Sequence, residues 1–145
     1  MKSFVNQKVK TAILVGCGRM GQRHFEVLKN LNIRLIALVD PQLKNALSIS
    51  KKIENYNKPE IFDNFYDALK NHFPDLLVIS SHADTHAEYA LETIKHNIPF
   101  LLVEKPIANS LNNCKKLLEA EKLSRTKVAV NHQMRFTPNY KIPKE

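Results

Sequence analysis

The chain of 145 residues has only three glycines, two cysteines and no tryptophan. Cys17 and Cys114 lie far apart, and neither belongs to a Cys-x-x-Cys pair, which argues against a disulfide framework and a zinc knuckle. No apolar run approaches the roughly 20 residues of a membrane span. Residues 1–10 lack the apolar core and cleavage site of a signal peptide. We therefore expect a cytoplasmic protein with no membrane partner.

Charge is the second compositional feature, because 22 lysines and arginines stand against 14 aspartates and glutamates, a net charge of +8. Such a balance is typical of nucleic-acid-binding proteins. Here the basic residues are scattered among acidic ones, and the densest runs are the pairs Lys51-Lys52 and Lys115-Lys116. With no recognition motif present, we expect no nucleic-acid partner. An anionic small ligand or a solvated surface explains the excess charge equally well.

All three glycines fall in the segment 16–21, which reads GCGRMG and has the spacing G-x-G-x-x-G. The apolar run Thr11–Val15 predicts a buried parallel strand before it. Apolar residues at Met20, Val27, Leu28 and Leu31 predict a helix after it. In such a turn the glycines allow a sharp bend, a close approach of pyrophosphate and tight helix–strand packing, while the helix start attracts the anion. We therefore predict a dinucleotide loop formed by Gly16, Gly18, Arg19, Met20 and Gly21.

A second apolar strand, Arg34–Asp40, ends in an acid that lies 19 residues beyond Gly21. A carboxylate about 20 residues after the glycine motif accepts hydrogen bonds from the adenosine ribose and repels a 2′-phosphate. No arginine adjoins Asp40, and Lys44 is the nearest cation. The pattern therefore predicts NAD as the cofactor, with NADP disfavoured. A glycine turn in an unrelated α/β protein is the alternative.

The rest of the chain alternates between strand and helix patterns, as an open α/β sheet requires. Further strands are predicted at Ile61–Phe62, Pro74–Ser80, Phe100–Glu104 and Lys127–Asn131. Helices are predicted at Pro41–Asn55, Asp63–His72 with Asp63 or Asn64 as its cap, Asp84–Asn97, and from the cap Ser110 to Ser124. We predict a Rossmann-type domain at residues 11–136, a doubly wound parallel sheet of about six strands with helices on both faces. A short extension, residues 1–10, precedes it.

Polar residues follow the fourth, fifth and sixth predicted strands. Right-handed crossovers place the carboxyl ends of all strands at one sheet edge, where ligands bind. Ser80 and Ser81 are candidates to hydrogen-bond the cofactor, although serines are common at strand ends anyway. His82 and His86 have a helical metal-ligand spacing, but no third ligand is evident and we predict no metal. The other candidates at this edge are Glu104, Lys105, Pro106, Asn131, His132 and Arg135.

One short motif points to a family. The segment Val103–Ala108 reads VEKPIA, a Glu-Lys-Pro motif between a strand and a helix. Together with the glycine motif, Asp40 and Thr85–Glu88, it makes the chain resemble the Gfo/Idh/MocA oxidoreductases, named for glucose–fructose oxidoreductase, inositol dehydrogenase and a rhizopine catabolism protein. The resemblance extends from Thr11 to Pro138. It departs from the family pattern near His82-Ala83 and at His96-Asn97, where the family often has a Pro-Asn type dipeptide and a glycine respectively.

The resemblance implies hydride transfer between a nicotinamide cofactor and a hydroxyl or carbonyl group of a sugar, sugar nucleotide or polyol. It makes Lys105 the catalytic residue, hydrogen-bonding the reacting oxygen or taking part in proton transfer. Glu104 would hold this lysine, and Pro106 would stiffen the turn through a cis Lys105–Pro106 bond. The alternative for Glu104 and Lys105 is an ordinary solvated pair that ends a strand.

The resemblance also assigns roles to other residues. His86 would line the cofactor region, with a capping or packing histidine as the alternative, and Arg135 is either a ligand contact or a surface residue. Cys17 lies near a helix start that would lower its thiol pKa, but we interpret it as a small filler. The predicted cofactor contacts are Gly16, Gly18, Arg19, Met20, Gly21, Asp40, Ser80, Ser81, His82, His86, Glu104, Lys105 and Pro106.

The family's enzymes carry a second α/β domain with most substrate contacts and the acid–base residues, and segment 137–145 would begin the crossing to it. Two functions stay open: the NAD(P)-binding part of a dehydrogenase whose second domain is supplied, or a truncated, inactive NAD(H)-binding module. A basic interaction protein that lacks nucleotide binding is disfavoured by the glycine motif and Asp40. Apolar surface left by the missing domain would also favour homo-oligomers.

Overall fold

The computed structural model describes residues 8–136. They form one parallel sheet of six strands in the order β3-β2-β1-β4-β5-β6. The strands are β1 Thr11–Val15, β2 Arg34–Val39, β3 Glu60–Phe62, β4 Leu76–Ile79, β5 Phe100–Glu104 and β6 Lys127–Asn131. The strand order reverses between β1 and β4, which creates a crevice at their carboxyl ends.

Within residues 8–136, five α-helices and one short 3-10 helix connect these strands, and a second 3-10 helix follows β6. The α-helices are α1 Arg19–Asn30, α2 Leu43–Ser50, α3 Phe65–Asn71, α4 Ala83–Lys95 and α5 Leu111–Leu123. The 3-10 helices are Asn55–Asn57 and Gln133–Phe136. Helix α2 is shorter than the predicted Pro41–Asn55, because the chain leaves it through tight turns at residues 51–53 to reach β3.

Two of the predicted helix caps form hydrogen bonds. The Asn64 side chain accepts from the backbone N–H groups of Tyr66 and Asp67, so Asn64 rather than Asp63 caps α3. The Ser110 hydroxyl accepts from the N–H of Asn113 at 3.2 Å, as expected for the cap of α5. Both side chains satisfy donors that the first helical turn leaves unpaired.

The core consists of two apolar layers, one on each face of the sheet. Ile13 and Val15 of β1 pack in the layer under α3, α4 and α5. Ala12 and Leu14 of the same strand pack in the layer under α1 and α2. Alternation along a strand buried on both faces produces this arrangement. The predicted Rossmann-type sheet with helices on both faces is therefore confirmed.

The predicted helix after the glycine loop is confirmed as α1, but not all of the apolar residues that predicted it are buried. The buried residues of α1 are Gly21, His24, Phe25 and Leu28. Val27 and Leu31 are 54% and 63% exposed. The contact of Gly21 with the glycine loop sets the rotation of the helix, and residues three, four and seven positions later therefore share the buried face.

Some predicted regions lie outside the described residues. These are residues 1–7 of the predicted extension 1–10 and the predicted crossing segment 137–145. The described end of the extension is attached to the sheet, since the N–H groups of Lys10 and Thr11 both donate to Asp75 Oδ2 at 2.9 Å. No helix within residues 8–136 is long and apolar enough to cross a bilayer.

Candidate cofactor-binding site

Two glycines of the loop between β1 and α1 are required by close backbone contacts. Gly16 has a φ of +84°, and a Cβ there would lie 2.4 Å from the backbone nitrogen of Ser81. A Cβ on Gly21 would lie 2.0 Å from the carbonyl oxygen of Gly16. Neither position can hold a larger side chain without moving backbone. The first glycine thus allows the turn, and the third brings α1 against the strand end.

Gly18 differs from the other two glycines because it faces open space. A Cβ at this position would meet nothing within 4 Å. Gly18 is the N-cap of α1 and offers no side-chain cap, and the first turn of this helix carries no acidic residue. The start of α1 is thus left accessible to an anion, which its N–H groups and dipole favour. Arg19 is exposed and Met20 half-buried beside it.

A cavity of about 350 Å³ opens beside this loop, at the carboxyl ends of β1, β2 and β4. Six predicted contact residues line it: Gly16, Gly18, Asp40, Ser80, Ser81 and His82. The other lining residues were not predicted as contacts, and they include Asn45, Asp63, Thr85 and Tyr89, which carry polar side-chain groups. Gly18 belongs both to the cavity wall and to the uncapped start of α1, so an anion at the helix start would lie next to the cavity. Lys105 and Pro106 are not among the lining residues of this cavity.

Asp40 is the anchor of the loop at the end of β2. Its Oδ2 accepts from the backbone N–H of Cys17 at 2.8 Å, and its Oδ1 accepts from that of Gln42 at 2.8 Å. The amide of Asn45 lies 3.2 Å from both carboxylate oxygens. Of these three donors, only Asn45 is a side chain that can rotate away. A ribose hydroxyl at Asp40 would therefore replace the Asn45 amide.

The serines after β4 bond to the protein itself. The Ser80 hydroxyl donates to the carbonyl oxygen of Gly16, 2.7 Å away, and so supports the glycine turn. The Ser81 hydroxyl lies 2.7 Å from that of Thr85, at the start of α4. Both serines therefore shape one wall of the cavity, and their hydroxyls stand next to its open space.

The two histidines of α4 occupy different environments. His82 is the exposed N-cap residue, without a side-chain cap bond. His86 is 2% exposed, with Nδ1 2.7 Å from the carbonyl oxygen of Pro106 and Nε2 3.1 Å from that of Ser81. His86 thus joins the loops after β4 and β5 from beneath. Within residues 8–136, no three His, Cys, Asp or Glu side chains are grouped to hold a metal ion.

The Glu-Lys-Pro segment ends β5 with a buried acid followed by an exposed base. Glu104 is 7% exposed, whereas the Lys105 side chain is exposed and its ammonium has no polar partner among residues 8–136. The Lys105–Pro106 peptide bond is cis, as expected. Glu104 and Lys105 therefore do not form a solvated ion pair. The carboxylate of Glu104 accepts the backbone N–H of Lys105 at 3.3 Å and does not contact its ammonium.

Two further residues complete the surroundings of Glu104, and sequence reasoning did not assign them this role. His24 Nε2 and Asn131 Nδ2 lie 2.8 Å and 2.6 Å from Glu104 Oε1. Burial raises the pKa of Glu104, but the hydrogen bonds from Asn131 and His24 outweigh it and hold the pKa below its usual value. The position of His24, three residues after Gly21, was the available signal, because it shares the buried face of α1.

The remaining predicted residues are placed as follows. Burial, followed by the charge of Asp40, raises the pKa of the Cys17 thiol to about 12. The expectation that the helix start lowers this pKa is therefore wrong. The Cys17 side chain is 1% exposed, which confirms its interpretation as a small filler. His132 and Arg135 are both exposed after β6.

Known proteins resemble this chain over most of its length. A family model described as "Oxidoreductase family, NAD-binding Rossmann fold", that of Gfo/Idh/MocA, matches residues 10–132. Inositol 2-dehydrogenase from Rubrobacter xylanophilus is 33% identical over 135 residues, which cover 91% of this chain and 38% of that protein. Inositol 2-dehydrogenase 2 from Saccharopolyspora erythraea is 28% identical over 130 residues, covering 88% and 37% respectively.

Solved structures share the fold. Myo-inositol dehydrogenase from Lactobacillus casei, in complex with NAD(H) and myo-inositol, superposes with a TM-score of 0.80 at 20% identity, covering 90% of this chain and 39% of that one. The WlbA dehydrogenase from Bordetella pertussis, with NADH and UDP-GlcNAcA, gives 0.76 at 21% identity, covering 88% and 39%. This chain thus spans well under half the length of its relatives. The match over residues 10–132 shows that the chain belongs to the Gfo/Idh/MocA family of oxidoreductases and carries its NAD-binding Rossmann domain.

Proposed function

We propose that this chain binds NAD(H) along the carboxyl edge of its sheet, with the pyrophosphate at the start of α1. The observation that carries the proposal is Gly18, where an added Cβ would meet nothing within 4 Å while Gly16 and Gly21 are enclosed. The absence of a side chain at Gly18 leaves open the space that a pyrophosphate at the helix start would occupy. The adenosine ribose would lie at Asp40, and the nicotinamide end would extend toward Lys105.

The proposal favours NAD over NADP because of the charge at the ribose end. Asp40 is 7% exposed and receives backbone N–H groups on both oxygens, so its carboxylate is fixed at the cavity wall. A 2′-phosphate placed there would meet a fixed negative charge at short range. Ribose hydroxyls, in contrast, are donors that an ionised carboxylate accepts.

We further propose that the protein to which this domain belongs oxidises a hydroxyl group of a polyol, sugar or sugar nucleotide. The inositol dehydrogenase relatives support a polyol. Bound NAD supplies the hydride acceptor. The exposed Lys105 ammonium would hydrogen-bond the reacting oxygen and stabilise its developing charge, while His86 and Glu104 hold the loop that carries it.

A second candidate function is a module that binds NAD(H) and performs no chemistry. The exposed Lys105 favours it, since within residues 8–136 nothing stands over the ammonium to hold a substrate. We also propose that residues 11–136 form the dinucleotide domain, that the protein is cytoplasmic and that it self-associates through exposed apolar residues.

Calorimetric titration of the 145-residue chain with NADH and NADPH tests the binding proposal. We expect NADH to bind at least tenfold more tightly than NADPH, about 1.4 kcal/mol. Equal affinities would contradict the assignment of Asp40 to the ribose, and no binding of either nucleotide would contradict the function itself.

Turnover with NAD and myo-inositol separates the two candidates. A form of the protein that includes a substrate domain should reduce NAD, and Lys105→Ala should lower kcat by at least about 100-fold with little change in NADH affinity. Arg23→Ala, on the exposed side of α1, is the matched control. Equal kcat in Lys105→Ala would remove Lys105 from the chemistry, and absence of turnover in every form would favour the binding module.

A further inference from the structure

A buried polar cluster connects the glycine-loop helix to the Glu-Lys-Pro segment. It consists of His24 on α1, Glu104 at the end of β5 and Asn131 at the end of β6, and we call it the His24 cluster. Glu104 Oε1 lies 2.8 Å from His24 Nε2 and 2.6 Å from Asn131 Nδ2. Glu104 Oε2 accepts the backbone N–H of Lys105 at 3.3 Å. One carboxylate therefore bonds to three separate parts of the chain.

The cluster depends on an ionised carboxylate. Glu104 is 7% exposed and His24 is 9% exposed, so loss of one donor cannot be repaired fully by water. An ionised carboxylate is an acceptor with about four lone-pair sites, enough for all three donors. A buried charged group that loses a partner changes its pKa or moves until it finds another partner. Removal of His24 would thus free the carboxylate and, with it, the backbone N–H of Lys105.

The backbone on the two sides of Lys105 is held by this bond and by the contact of His86 Nδ1 with the carbonyl oxygen of Pro106, at 2.7 Å. The Lys105 ammonium has no polar partner among residues 8–136, so no side-chain contact there fixes the residue. The adenosine end is held differently, through Asp40 and the backbone N–H groups of Cys17 and Gln42. A disturbance of the His24 cluster should therefore reach the nicotinamide end of the site and leave the adenosine end intact.

We propose that His24 is a positioning residue, which with Asn131 orients Glu104 and thereby the Lys105 segment for the nicotinamide half of the cofactor. The inference rests on the proposed binding of NAD(H) but goes beyond it by assigning the two ends of the site to different anchors. His24 itself lies beneath the site and would influence the cofactor only indirectly, through Glu104 and Lys105.

The decisive experiment compares two ligands on the 145-residue chain. ADP-ribose retains the adenosine, pyrophosphate and second ribose but lacks nicotinamide, so the ratio of its Kd to that of NADH measures contacts at the nicotinamide end. His24→Leu should weaken NADH binding about fivefold, through loss of a hydrogen bond to a charged group. Its affinity for ADP-ribose should change less than about twofold. Nicotinamide fluorescence of bound NADH should shift in the same variant.

Three variants control this comparison. His24→Gln restores an amide N–H at a similar reach and should recover most of the NADH preference. Asn131→Ala removes the other side-chain donor to Glu104 and should likewise weaken NADH binding with little change in ADP-ribose binding. Because Asn131 lies on β6, away from the glycine loop, this variant still tests the inference if His24→Leu fails to fold. Arg23→Ala, an exposed neighbour on α1, should leave both affinities unchanged. Hydrogen exchange at the backbone amide of Lys105 can be measured without any ligand. It should become faster in His24→Leu and Asn131→Ala but not in His24→Gln or Arg23→Ala.

Other outcomes would overturn the inference. Equal weakening of NADH and ADP-ribose in His24→Leu would mean that His24 supports the glycine loop or the fold in general. Unchanged affinities together with unchanged Lys105 amide exchange would show that the cluster has no influence on this segment. If the native chain bound neither ligand, the proposed function would fail, whereas amide exchange would still decide whether His24 orients Lys105.

Discussion

The two ends of the sheet edge are built by different means. At the proposed adenosine end, Asp40 is held by the backbone N–H groups of Cys17 and of Gln42, which lies two residues away. At the proposed nicotinamide end, Glu104 is held mainly by side chains that lie 80 and 27 residues away in sequence. Backbone donors are present whatever the sequence, whereas side-chain donors depend on one residue each. We therefore expect the second end to be more sensitive to single conservative substitutions.

The largest expected effect lies in the glycine loop. Gly21→Ala places a Cβ 2.0 Å from the backbone oxygen of Gly16, which cannot move without shifting β1 or α1. We expect a loss of about 3 kcal/mol or more in the free energy of unfolding, measured with urea. Gly18→Ala is the matched control, since its Cβ meets nothing. It should cost less than about 1 kcal/mol of stability while weakening NADH binding. Similar stability of the two variants would contradict the assigned contacts.

The next effect concerns ligand choice at the adenosine end. Asp40→Ala removes the acceptor for the ribose and for the N–H of Cys17, so NADH binding should weaken about tenfold. Binding of NADPH should weaken less or improve, because the repelling charge is gone. Parallel calorimetric titrations measure both changes. Unchanged affinity for the two nucleotides would contradict the assignment of Asp40 to the ribose.

The nicotinamide end should show a dependence of stability on pH. The pKa of Glu104 is held below its value in the unfolded chain by Asn131 and His24 despite burial. Its ionised form therefore stabilises the fold above the unfolded-state pKa of about 4.3, and this contribution is lost as pH falls through the folded-state pKa. Glu104→Gln should be less stable than the native chain at pH 7, with a difference that shrinks as the pH falls below about 4. A difference independent of pH would contradict the role of the charge.

The smallest effect concerns the exposed face of α5. Leu123 at the end of α5 is 91% exposed, and Leu118 on the same helix is 56% exposed. Leu123→Lys should change the free energy of unfolding by less than about 0.5 kcal/mol, but it should reduce self-association measured by sedimentation velocity. Lys122→Ala, at the neighbouring position, is the control. A native chain that sediments as a monomer would contradict the proposed oligomer.

The elements that sequence predicted well are those whose signals are local. Three such signals are the glycine spacing, the run Thr11–Val15 and the acid at Asp40. Each reflects contacts within a few residues or within one βαβ unit, so the local sequence pattern is enough to predict the structure there. The rotation of α1 on the sheet was not predicted, and apolar residues alone do not indicate it, because Val27 and Leu31 are apolar yet exposed. The rotation depends on the contact between Gly21 and Gly16, which apolar periodicity does not encode.

By itself, the sequence determined the parallel α/β fold, the family and the place of the dinucleotide loop. The physical reason is that strand burial, helix spacing and the need for glycine at a crowded turn leave marks in adjacent residues. Only the tertiary structure decided that Asn45 contacts Asp40, that His86 joins the loops at Ser81 and Pro106, and that His24 bonds to Glu104. A buried polar group must find a partner, but sequence does not reveal which of many distant donors the packing of helices on the sheet brings within reach.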